Sequence, residues 1–248
     1  HICHILLIFL GACSSEHSVP TWPSLLLPTQ AAFQYVCYSL ALMMNKYEQT
    51  YEHKLADSWK NFVRNVGFHS LLENKDSLDQ ELATFLTQGH TALADDILQK
   101  IEEHPYRIAL NNYEWGSNSD ILNQAYILCV AHRLTGEEKY LLGAEQITDY
   151  IFGKNATGYS FMTGFGSKRI MFPHHRPSGA DSIADPVPGF ILGGPNDDRQ
   201  DASEVDYASE YPAKAHLDVE ASYASNEVCI NWNAPAVYVL AYLEEVRK

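Results

Sequence analysis

From Pro28 onward the apolar residues of this chain recur at intervals of three and four rather than two. That spacing puts them on one face of a helix and argues against half-buried strands, so the fold is expected to be helices packed on helices. Such runs cover 31–47, 55–66, 78–86, 93–101, 121–134 and 140–152, and a last one covers 228–246. Pro235 lies within the last run, where it either kinks the helix or marks its true first turn. Asn118-Ser-Asp120 reads as the cap of one helix and Gly136 as the start of the next, which predicts an antiparallel hairpin with a tight turn.

Between 153 and 225 the pattern changes, and most of the glycine and proline of the chain is found there. A long loop region inside a helical protein is more often functional than a spacer. No linker composition interrupts 29–248, so those residues are expected to form one domain. Residues 1–28 read as a leader. Ile5 to Ala12 form an apolar run too short to span a bilayer but suited to a secretory signal. Cys13, after Leu-Gly-Ala, would then be a lipid-anchor site, and the protein is expected to be secreted or held at the cell envelope. There is no Lys or Arg ahead of the run.

A net charge of −14 repels phosphate backbones and anionic membrane surfaces, so nucleic acid is excluded as a partner and no membrane contact is expected beyond that anchor. The five cysteines form no metal-binding pattern, and Cys129 and Cys229 read as small buried apolar residues. No metal ligand set is expected. Oxygen-rich loops at 196–198 and 201–206 could hold a structural calcium ion, although their spacing fits no EF-hand.

Chemistry on a polyhydroxylated substrate needs carboxyl groups for proton transfer and side chains that grip hydroxyls. Glu227 is the candidate acid. It precedes an apolar helix and has Tyr223, Asn226 and Trp232 nearby in sequence, where burial would favour its protonated form; the alternative is an ordinary first-turn acid facing the helix dipole. His174, His175 and Arg176 follow Pro173 and offer donors to hydroxyls or to a carboxylate. Adjacent histidines diverge, so this pair is not read as a metal site.

The segment from Ser160 to Arg176 resembles the histidine-bearing signature of glycoside hydrolase family 9, the inverting cellulases, and the segment from Asp218 to Ala234 resembles its acid-bearing signature. Pro186-Val-Pro-Gly, Gly193-Gly-Pro-Asn and Tyr211-Pro-Ala-Lys fit the loops of that family in order, and Trp115-Gly-Ser-Asn extends the similarity. The resemblance implies an (α/α)6 barrel, of which about seven helical segments would be the C-terminal portion. It implies a β-glucan polysaccharide or oligosaccharide as substrate and no required cofactor. It also implies Glu227 as general acid, His174 and Arg176 as a substrate-site pair and Asp218 as a supporting carboxylate. His175, Tyr223, Trp232 and Asn226 are expected as substrate contacts.

The sequence departs from that pattern in three places. His216 stands where an aromatic is expected and could still stack on a sugar; Cys229 stands where a small residue is expected. The family's Asp-Ala-Gly-Asp type motif, which carries the base that activates water, is missing, and Asp76-Ser-Leu-Asp79 lacks its small-residue turn. The expectation is therefore a β-1,4-glucanase whose base lies outside this chain. The alternatives are a carbohydrate-binding remnant without catalysis and an exo-acting glucosaminidase or chito-oligosaccharide hydrolase of the same family. A barrel lacking helices would expose apolar surface and be unstable, oligomeric or completed by another polypeptide.

Overall fold

The computed structural model of the chain describes residues 80–248. The expected leader, the helices at 31–47 and 55–66 and Asp76-Ser-Leu-Asp79 lie outside these residues. Among the described residues there are four long helices and no strand longer than an isolated bridge. These are α1 (Gln80–Glu103), α2 (Ser117–Thr135), α3 (Glu138–Ile151) and, after the loop region, α6 (Ile230–Val246). Two short helices lie between them, α4 (Arg176–Ala180) and α5 (Tyr223–Asn226).

Helix α2 is the centre of the packing. Residues Ile121 to Ala131 are buried on nearly every face apart from Gln124, as expected of a helix with neighbours all round. Helices α1, α3 and α6 each pack on it. Helix α3 buries Tyr140, Ala144, Ile147 and Ile151 at steps of three and four, with Glu138, Glu145 and Asp149 on other faces. The α2–α3 turn is tight because Gly136 adopts a left-handed conformation (φ 73°) and its N–H caps the carbonyl of His132 at 2.7 Å.

Helix α1 joins two segments that the apolar pattern separates, the described part of 78–86 and 93–101. The gap is bridged by His90, which sits in the apolar row with Ala94, Ile97 and Ile101, is fully buried and meets the carbonyl of Ile127 at 2.8 Å. A histidine that satisfies a core position by a hydrogen bond does not register as apolar, so one helix looks like two. Asn118 also differs from expectation. The helix starts one residue earlier, after Gly116 in a left-handed conformation, with no side-chain cap. Asn118 is buried inside the first turn, where its Nδ2 donates to the carbonyl of Leu192 at 3.0 Å.

Helix α6 buries Trp232, Ala236 and Val239 towards α2, and its Tyr242 hydroxyl lies 2.7 Å from His132 Nδ1. Pro235 lies inside the helix, beyond its first turn, and is itself buried. On the opposite side Ile230 and Val237 are 90% and 70% exposed.

Candidate active site

The site is built on the loop spine Gly193-Gly-Pro-Asn196. The N-terminus of α2 holds this spine from one side: Asn118 N–H donates to the carbonyl of Gly193 (3.0 Å) and Ser117 Oγ to that of Pro195 (2.7 Å). From the other side the spine holds the turn that carries Glu227. Gly193 N–H donates to the carbonyl of Glu227, Gly194 N–H to that of Ser225 (3.0 Å each), and Asn196 Nδ2 to that of Ala224 at 2.8 Å. Gly194 can only be glycine, since its φ is 91° and a Cβ would come within 2.4 Å of the Asn118 side chain.

Trp232 locks the same spine. Its indole is wedged between two glycines, such that a Cβ on Gly116 would stand 2.8 Å from the ring nitrogen and one on Gly193 3.0 Å from a ring carbon. At 8% exposure it has no open face for a sugar, so its expected place among the substrate contacts is corrected: it packs the frame. Asn226 is likewise buried completely. Its Nδ2 donates to the carbonyl of Phe172 at 2.6 Å and its Oδ1 lies 3.3 Å from His216 Nε2. It ties the two loop segments together rather than reaching a ligand.

Residue 174 and residue 227 are paired across a parallel β-bridge, with His174 N–H donating to the carbonyl of Asn226 at 2.8 Å. Paired ladder residues carry their side chains on a common face. The His174 imidazole is fixed by Nδ1, which lies 2.6 Å from the carbonyl of Glu220. A carbonyl only accepts, so Nδ1 carries the proton and Nε2 is left for another partner. The ring stands edge-on to Tyr223, with centroids 6.2 Å apart. Tyr223 donates its hydroxyl to the carbonyl of Gln200 at 2.9 Å and leans on Trp115, with centroids 5.7 Å apart. Glu227 and Tyr223 are half-buried, and Trp115 is 41% exposed.

Asp218 accepts the backbone N–H groups of Met171 and Phe172, which holds the chain leading to His174. His175 caps α4: its Nδ1 lies 2.9 Å from Ser178 Oγ, and its ring packs edge-on to Phe190. Arg176 begins that helix, is exposed and forms no ion pair among the described residues. The local reading thus brings His174, Tyr223 and Glu227 together, with Arg176 two residues on from His174.

Two further expectations change. His216 is 5% exposed, edge-on to Phe161 at 5.1 Å, so it fills a core position and cannot stack on a sugar; burial lowers its pKa to about 4. Cys129 is fully buried, and burial pushes its thiol up to about 12, but Cys229 is half-exposed and donates to Asn231 Oδ1 at 2.5 Å. It lies at the N-terminus of α6, outside the core.

Sequence reasoning passed over Asp201 except as a calcium candidate. It is fully buried and accepts from the Tyr207 hydroxyl (2.7 Å), the Ser222 hydroxyl (2.9 Å) and the Ala224 N–H (3.0 Å), anchoring the turn that leads to Glu227. It was one acid among several in a polar loop, and only its three partners distinguish it. Among the described residues no group of three or more His, Cys, Asp or Glu is placed to hold a metal ion.

The family model for glycosyl hydrolase family 9 matches residues 25–240. The chain belongs to this family. A xyloglucan-specific endo-β-1,4-glucanase of Bacteroides ovatus is 40% identical over 171 residues, covering 67% of this chain and 29% of that protein. A cellulose 1,4-β-cellobiosidase of Acetivibrio thermocellus is 37% identical over 165 residues, 62% of this chain and 18% of that protein. The chain therefore spans less than a third of the length of these relatives. Among solved structures, the family 9 endoglucanase J30 superposes with a TM-score of 0.71 at 28% identity, covering 86% of this chain and 40% of that one. A thermostable endoglucanase from Alicyclobacillus acidocaldarius gives 0.69 at 26% identity, covering 96% and 48%. The architecture is all-α and that of the family's (α/α)6 barrel, in part, with long ordered loops at the site.

Proposed function

We propose that this chain carries the acid-bearing side of a site that hydrolyses β-1,4-glucosidic bonds in β-glucans. The observation that carries this reading is the bridge pairing His174 with Glu227 beside the Tyr223 and Trp115 rings. Glu227 protonates the glycosidic oxygen as the bond breaks, which stabilises the departing sugar. His174, through its free Nε2, and Arg176 hold hydroxyl groups of the substrate, while the Trp115–Tyr223 pair supports a sugar ring.

In an inverting reaction a second carboxylate directs water from the opposite face, roughly 6.5–9.5 Å from the acid. Asp218 does not fill that role, because both its oxygens accept backbone N–H groups. The base comes from residues other than those described. Relatives named for xyloglucan and cellulose support a β-1,4-glucan backbone as the substrate class, a polymer met outside the cell.

The test is release of reducing sugar by the 248-residue chain on xyloglucan, amorphous cellulose, mixed-linkage β-glucan and chitosan. With the base supplied from residues 1–79, the expected result is release from one or more of the glucans and not from chitosan. Release from chitosan alone would replace the substrate class with an amino sugar. The missing Asp-Ala-Gly-Asp motif favours a second reading, a glycan-binding protein without turnover. That reading predicts binding of the glucans with no release.

A further inference from the structure

A cavity of about 510 Å³ opens where the chain following α1 meets the loop at 197–213. Its size falls within the roughly 300–1,000 Å³ of small-molecule sites. Two of its walls continue directly into the candidate active site. Asp197 N–H donates to the carbonyl of Tyr113 at 2.7 Å, joining them. Beyond that joint, one wall runs through Glu114 to Trp115. The other runs through Asp198 to Gln200, whose carbonyl receives the Tyr223 hydroxyl. The cavity and the Trp115–Tyr223 pair thus lie along the same two segments.

The lining narrows the ligand class. Asn111 and Asn112 are exposed, and their side-chain amides make no hydrogen bond among the described residues. Each amide offers both a donor and an acceptor, which matches a hydroxyl that is both. Glu114 and Asp198 add carboxylate acceptors, and no Lys or Arg lines the cavity. An anionic ligand would be repelled there, whereas the hydroxyls of a neutral sugar would donate to the carboxylates. Tyr211 stands at the wall 73% exposed, an aromatic face with nothing on it among the described residues.

We infer that this cavity binds a neutral pyranosyl unit of the glucan whose neighbouring units occupy the site at Glu227, with Tyr211 as its stacking surface and Asn111 and Asn112 as its hydroxyl contacts. The inference rests on the β-glucan reading above. The unit arrives either as a further residue of the main chain or as a side branch, and the two sources are separable.

The experiment is calorimetric titration of the 248-residue chain with cellohexaose and with a xylose-branched glucan heptasaccharide, repeated for Tyr211→Ala and Trp115→Ala. The exposed Tyr211 side chain makes its removal compatible with folding, which an unchanged melting temperature verifies. Tyr211→Ala is expected to weaken at least one ligand by about tenfold, the loss from one dominant contact. Weakening of cellohexaose assigns the cavity to the main chain, and weakening confined to the branched ligand assigns it to a side branch. Unchanged binding of both by Tyr211→Ala, with loss in Trp115→Ala, overturns the inference and leaves the β-glucan reading standing. A wild-type chain that binds neither ligand overturns both.

Discussion

The carboxylate of Asp218 accepts the backbone N–H of Phe172 at 2.8 Å, and with its other oxygen that of Met171 at 2.9 Å. One side chain from the acid-bearing segment thereby fixes the backbone two residues before His174. Asn226 reinforces the joint from the same segment by donating to the Phe172 carbonyl. The relation of His174 to Glu227 is thus set by the backbone bridge between their segments and by the Asp218 and Asn226 side chains that bond to that backbone.

Asp218→Ala is expected to lower stability by about 1–2 kcal/mol, since it removes the acceptor of the half-buried Met171 N–H and of the more exposed Phe172 N–H. The denaturation midpoint in urea measures this. Asp218→Asn keeps one carbonyl oxygen and should recover part of the loss. Glucan affinity should follow the same order, because the segment that loosens carries His174.

Gly116→Ala should be costly for two reasons that act together. The left-handed backbone at φ 86° disfavours a side chain, and the added Cβ would stand 2.8 Å from the Trp232 ring nitrogen. A loss of about 1–3 kcal/mol is expected. Tryptophan emission from the folded variant should shift to longer wavelength as the indole is displaced from between its two glycines.

His216 makes stability depend on pH. Its ordinary value is 6.5 and burial depresses it to about 4, against a smaller opposing effect of the Asn226 hydrogen bond and a small lowering by Lys168. The native protein holds the ring neutral while the unfolded chain takes up a proton below 6.5. The unfolded state therefore binds more protons between these values, and stability is full above pH 6.5 and falls as the pH drops toward 4. The fall amounts to at most about 3 kcal/mol. His216→Phe, placed between Phe161 and Tyr159, should flatten this part of the curve of melting temperature against pH.

How far the chain could be read without its structure differed from element to element. The hairpin of α2 and α3 was legible because its apolar residues repeat every three or four positions and Gly136 punctuates them. Helix α1 was split because His90 occupies a core position by hydrogen bonding to Ile127, which the periodicity of apolar residues cannot register. Ordered loop motifs pointed to the segments of the site, yet composition alone does not distinguish a buried tie from an exposed contact. Trp232 and Asn226 lie in the expected segment, but glycines at 116 and 193 and the carbonyl of Phe172 take them up. Those partners are between about 40 and 115 residues away in sequence, beyond any local pattern. Trp115, by contrast, reaches the surface next to Tyr223.

The most direct test of the account is the dependence of Glu227→Gln on the leaving group. A general acid matters when the departing oxygen needs a proton and is dispensable when the leaving group is already a stable anion. Wild-type and variant chains would be assayed on cellotetraose and on dinitrophenyl β-cellobioside. The account predicts a loss of about 10²–10⁴-fold on cellotetraose and little loss on the activated substrate. An equal loss on both substrates, or an unchanged rate on cellotetraose, would contradict the assignment of Glu227 as the acid.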